Sequence, residues 1–175
     1  LLLIHALSSL HPGTGQGVGA IDLPIAREKA TGIPFVPGST IKGVLRELSE
    51  AKDPTKTTPV FGPPTSNAED HAGSLQISDA RLLLLPVRSI AGTFAWVTSP
   101  YVLRRLMRDA AGLTGSPPAI VPVPPNPDHC LVSQAATKIT LGQTAKVCLE
   151  DLDLVAHRSA DVDAWHTWLK TRLFP

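Results

Sequence analysis

The chain has 175 residues, 43% hydrophobic and 18% charged, which is enough apolar material for one folded domain over residues 1–175 and excludes a disordered chain. Sixteen Lys and Arg against fifteen Asp and Glu leave a formal charge of +1, which excludes a uniformly basic nucleic-acid coat but not a basic patch on one face. Its 17 prolines, about twice average usage, exclude a bundle of long helices, because proline lacks the amide donor and clashes in a helix interior.

In chain order, Leu1–Leu10 reads as a buried strand. It is too short to span a bilayer and has no basic flank or clear cleavage site, so no membrane partner is expected and the protein is placed in the cytoplasm. Cys130 and Cys148 form no CxxC pair, which argues against a zinc ribbon and suits a reducing compartment. A glycine-dense loop follows from His11 to Gly19, with Gly13, Gly15, Gly17 and Gly19 at alternate positions, then an extended piece from Ala20 to Ile25. Pro34–Ser39 is extended and turns into a helix over about 40–51, with Ser39 or Thr40 as its N-cap. Ile41, Val44, Leu45 and Leu48 form its apolar stripe, and Lys42 and Arg46 share its solvent face.

Residues 52–74 read as a long irregular loop, and a second such loop spans 113–129. Between them lie a strand over 74–87, with Leu82–Leu85 covered on both faces, and a strand near 90–97. A helix starts at Ser99-Pro100, with Val102, Leu103, Leu106 and Met107 inward, and ends at Gly112. Strands are expected near 130–134, 137–141 and 145–156. A last helix covers 160–173, with Val162, Trp165, Leu169 and Leu173 on one face. The order predicts an α+β fold, helices on one face of an antiparallel sheet, of which the ferredoxin-like (RNA-recognition-motif-like) arrangement with long loop insertions is the commonest form.

Four features carry possible chemistry. Gly15-Gln16-Gly17-Val18-Gly19-Ala20 matches a dinucleotide fingerprint literally, but Asp22 and Pro24 stand where the required helix should begin. A loop that approaches a nucleic-acid backbone suits these residues better, beside the plain reading of an ordinary glycine-rich loop. Asp22 can bind a divalent metal, position a 2′-hydroxyl or act as a base, or simply form a turn. The helix start with Ser39, Thr40 and Lys42 suits a phosphate, or is an ordinary capped helix, since GxxxxGK[ST] is absent. Arg81, Arg88, Arg104, Arg105 and Arg108 occur between residues 80 and 108 without an acid, whereas acids dominate 150–163, which suits either a subunit that binds an anionic polymer and stacks on copies of itself or plain solvated surface. The six histidines, His5, His11, His71, His129, His157 and His166, show no HxxxH or HExxH spacing, and His11 alone stands out because it opens the glycine loop.

The strings HPGTGQGVGAIDLPIARE and TGIPFVPGSTIKGVLRE, with SDARLLLLPVRS, FAWVTSP and KVCLEDLDLVAH further on, resemble the RAMP superfamily of CRISPR proteins. The likeness is to the repeated backbone subunit of type III-B (Cmr) RNA-targeting complexes. It implies a modified RNA-recognition-type core that continues past Pro175, and copies that polymerise on a CRISPR guide RNA beside other effector subunits. It also implies a loop aspartate that cuts target RNA with Mg²⁺ or another divalent metal. On this sequence the catalytic and metal-binding position is Asp22, with His11 as a second candidate contact. Gly13, Gly15, Gly17, Gly19, Ser39, Thr40, Lys42 and Arg46 would hold RNA. A non-cutting scaffold subunit and, from another class, a nucleotide-cofactor enzyme are the alternatives.

Overall fold

The computed structural model describes residues 1–13, 24–67, 69–135, 138–142 and 145–173. It is a mixed α+β chain of two compact units: Ala6–Leu82, and Leu83–Pro175 together with Leu1–His5.

In the unit Ala6–Leu82, four short extended segments lie side by side. Gly13 bridges Ile25, Arg27 bridges Pro34, and strand β1 (Phe35–Val36) pairs antiparallel with β2 (Ala80–Arg81). Helix α1 (Gly38–Lys52) follows β1 after one residue. It ends because Pro54 forces Asp53 out of the helical region, to φ −155° and ψ 89°. Asp53 then turns the chain: its N–H donates to Ser49 O, closing α1, and its carboxylate accepts from Thr55 N, opening α2 (Pro54–Phe61). The stretch expected as a loop from 52 to 74 therefore begins with a helix, and a 3₁₀ turn follows at Thr65–Asn67.

The orientation of α1 also departs from the expectation. Lys42, Arg46 and Ser49 are half-buried, whereas Val44, Leu45 and Leu48 are 54%, 39% and 57% exposed. Hydrogen bonds explain it. The Arg46 guanidinium donates to Pro63 O at 2.9 Å, and the Ser49 and Thr57 hydroxyls meet at 2.8 Å, with Thr57 buried. The polar edge of α1 is thus latched to α2 and the segment after it.

The other unit holds two small sheets and two helices. Hairpin β3 (Leu85–Arg88) and β4 (Phe94–Val97) pair antiparallel. The second sheet has the order β5-β7-β6, from β5 (His129–Ser133), β6 (Lys146–Leu149) and β7 (Leu152–Ser159). Among the described residues three small sheets stand in place of the expected single antiparallel one, and β5 runs parallel to β7. The strand expected over 145–156 is a hairpin, reversed at Glu150, and residues 138–141 are not a strand. Of the strand expected over 74–87 only β2 and the start of β3 form, and Leu85 is 45% exposed. No strand forms over 1–10 either: Leu1, Leu2, Ile4, Leu7 and Leu10 are exposed, and Leu3 alone joins a packed cluster.

Two apolar clusters hold this unit. Val87, Ala95 and Val97 of the hairpin pack on Val132, Val147, Leu149 and Ala156, one sheet against another. Helices α3 (Pro100–Asp109) and α4 (Ala160–Leu173) build the second from Leu103, Leu106, Trp165 and Leu169, with Val121 of the connector. α3 starts as the sequence predicts: the Ser99 hydroxyl accepts from Val102 N and Pro100 sits in the first turn. The connector stays irregular but is anchored, since the indole N–H groups of Trp165 and Trp168 donate to Ala119 O and Gly115 O. No helix among the described residues is long and apolar enough to cross a membrane.

Candidate nucleic-acid interface

The glycine loop is flanked by backbone pairing. Ala26 N donates to Pro12 O at 2.9 Å beside the Gly13–Ile25 bridge, and Ala26 is fully buried. Gly15, Gly17, Gly19 and Asp22 lie outside the described residues. Gly13 is half-buried and His11, two residues before it, is exposed. The first described helix after the loop begins at Gly38.

The start of α1 is capped by a residue that sequence reasoning missed. The β1–β2 register sets Val36 opposite Ala80, which brings Asp79 beside Pro37. Its carboxylate accepts from Gly38 N at 2.8 Å. Ser39 and Thr40 sit inside the first turn instead, both exposed, and neither caps the helix. The approach is close enough that a Cβ on Gly38 would overlap the Ile77 carbonyl oxygen. One of the helix's first N–H groups is therefore already satisfied by Asp79, which weakens the expected phosphate site there.

Beside this cap an open groove of about 420 Å³ is lined by Arg27, Glu28, Lys29, Phe35, Asp79 and Arg81. Two separate chain segments supply its three cations, Arg27 and Lys29 from one and Arg81 from β2. Asp79 is engaged by α1, and Glu28 accepts from the Thr31 hydroxyl at 2.7 Å. Arg27 closes the neighbouring turn by donating to Gly32 O, with Gly32 at φ 69°. The groove shares its ladder with the flanks of the glycine loop, because Arg27 follows Ile25 by two residues. Of the helix residues predicted to grip RNA, Arg46 is committed to Pro63 and lies 4.0 Å from Glu50, and Lys42 is half-buried. Among the described residues no group of three or more His, Cys, Asp or Glu is placed to hold a metal ion.

The RAMP superfamily pattern matches residues 3–156. This chain belongs to the RAMP superfamily. Among RAMP proteins it is 38% identical over 161 residues to the CRISPR system Cmr endoribonuclease Cmr4 of Pyrococcus furiosus, covering 90% of this chain and 52% of that protein. It is 44% identical over 48 residues to the CRISPR system Cms endoribonuclease Csm3 of Enterococcus italicus, covering 26% of this chain and 22% of that protein. The crystal structure of oligomeric Cmr4 from Pyrococcus furiosus superposes with a TM-score of 0.71 at 31% identity, covering 95% of this chain and 59% of that one. This RAMP chain spans about half the length of the Cmr4 relative.

Proposed function

We propose that this RAMP chain is a guide-RNA-binding backbone subunit of a type III-B effector complex, and that Asp22 cuts the complementary target RNA. The observation that carries the reading is the 38% identity to a Cmr endoribonuclease over 90% of this chain. The partners in this reading are the CRISPR guide RNA, the target RNA, further copies of the chain and other effector subunits, working in the cytoplasm. The fold in this reading is a ferredoxin-like core.

The chemistry asks little of the protein. RNA carries its own nucleophile, the 2′-hydroxyl, and cutting requires that oxygen in line with the phosphate. Base pairing reads the sequence while the protein holds backbone and shape. The Arg27–Lys29–Arg81 groove is the described surface that suits the phosphates, adjacent to the flanks of the loop that carries Asp22. Asp22 is the ligand proposed for a divalent ion, which would offset charge developing on the phosphate.

Filter binding of single-stranded RNA to the chain, titrated with salt, tests the groove. Replacing Arg27, Lys29 and Arg81 with Glu is expected to weaken binding and flatten the log–log salt slope by about 2. An unchanged slope would place the RNA elsewhere.

A further inference from the structure

The β5–β7 pairing brings together two histidines that are 28 residues apart in sequence. The parallel register sets His129 opposite Val155 and Leu131 opposite His157, so both imidazoles rise from the same face of the sheet. Their facing nitrogens, His129 Nδ1 and His157 Nε2, are 2.8 Å apart, and the ring centroids are 4.6 Å apart. His157 is exposed and the His129 side chain keeps 18% of its surface, so solvent reaches the pair. The other nitrogen of His129, Nε2, faces the Asn126 amide nitrogen Nδ2 at 3.3 Å and Asp128 Oδ1 at 3.8 Å.

We propose that His129 and His157 form a binding site for a divalent transition metal such as Zn²⁺, with water completing the shell. The geometry fits ligands waiting for an ion. Two nitrogens each about 2.0–2.1 Å from one zinc lie about 3 Å apart at angles between square and tetrahedral, so a few tenths of an ångström of opening, with each ring turned until the two lone pairs converge beside the line that joins them, admits the metal. The proton that now joins the rings is what the metal replaces. On the far side of His129 the Asn126 amide nitrogen meets Nε2 at 3.3 Å and the Asp128 carboxylate stands off at 3.8 Å, so binding a metal through Nδ1 requires a proton on Nε2 and the Asn126 amide turned to accept it with its oxygen. Imidazole nitrogen suits zinc, nickel and copper, whereas Mg²⁺ and Ca²⁺ prefer oxygen, so this site is chemically separate from any ion used in RNA cutting. A bound ion would staple β5 to β7. The inference does not depend on the proposed function.

The test is calorimetric titration of the metal-stripped chain with Zn²⁺ at pH 7.5, on wild type, His129→Asn, His157→Asn and, as a control, His166→Asn. The site predicts one ion bound by wild type and by His166→Asn, and none by either of the other two. Paramagnetic Ni²⁺ added to wild type, which needs no variant to fold, should broaden the ring resonances of His129 and His157 before those of the other four histidines. Zinc uptake unchanged in His129→Asn and His157→Asn, no uptake by wild type, or earlier broadening at other histidines would each overturn the proposal.

Discussion

Gly38 and Gly43 stand on the same helix and should respond to alanine with opposite signs. At Gly38 an added Cβ meets the Ile77 backbone, which cannot yield as a side chain can. Gly38→Ala should therefore destabilise the fold by about 1–3 kcal/mol, read as a lower urea midpoint. Nothing lies within 4 Å of a Cβ on Gly43, so Gly43→Ala should gain up to about 1 kcal/mol from helix propensity alone. Cys148 offers a second test at this scale. Its thiol donates to the Asp153 carboxylate, and that hydrogen bond, with burial second, pushes the thiol up from its ordinary value. A raised value in the fold means that the bond contributes fully below the ordinary thiol range and is lost as pH climbs through the raised value. Iodoacetamide should thus modify Cys148 more slowly at pH 8.5 than an unhindered cysteine, and Asp153→Asn should speed it, as read by peptide mass spectrometry.

Among the elements, the junction of α1 and α2 shows how far the sequence can be read. The helices with complete local signals were legible: Ser99-Pro100 opens α3, and Val162, Trp165, Leu169 and Leu173 of α4 all reach one cluster. α2 was not, because Pro54 and Pro59 read as breakers, although Pro54 at a first helical position is well tolerated behind an Asp53 cap. The inverted face of α1 was hidden for another reason. Periodicity locates an apolar stripe but cannot reveal that Arg46 and Ser49 have hydrogen-bond partners on the next segment. The run Leu1–Leu10 fails similarly, since a strand needs a paired neighbour and composition names none. A pH test belongs to this junction. Asp53 is held below the usual carboxylate value, first by the Thr55 hydroxyl and then by Lys56. Its stabilising effect is therefore present above the ordinary carboxylate value and is lost as pH falls through the lowered one. Thermal unfolding followed between pH 7 and 3 should show a loss at the acid end that is smaller in Asp53→Asn.

For the molecule as a whole, the proposed function rests on residues the sequence displays only by resemblance. Asp22 looks like any turn aspartate until the strings around it are compared with RAMP proteins. The groove cations came from the fold instead: Arg27, Lys29 and Arg81 converge because Arg27 bridges Pro34 and β1 pairs with β2, which no spacing rule shows. The most direct test of the central claim is cleavage of guide-complementary RNA by the assembled complex in Mg²⁺, with wild-type chain and with Asp22→Ala. The account predicts regularly spaced cuts with wild type, and their loss in Asp22→Ala while guide and target stay bound. Cuts that persist at the wild-type rate in Asp22→Ala would contradict it and make this chain a scaffold.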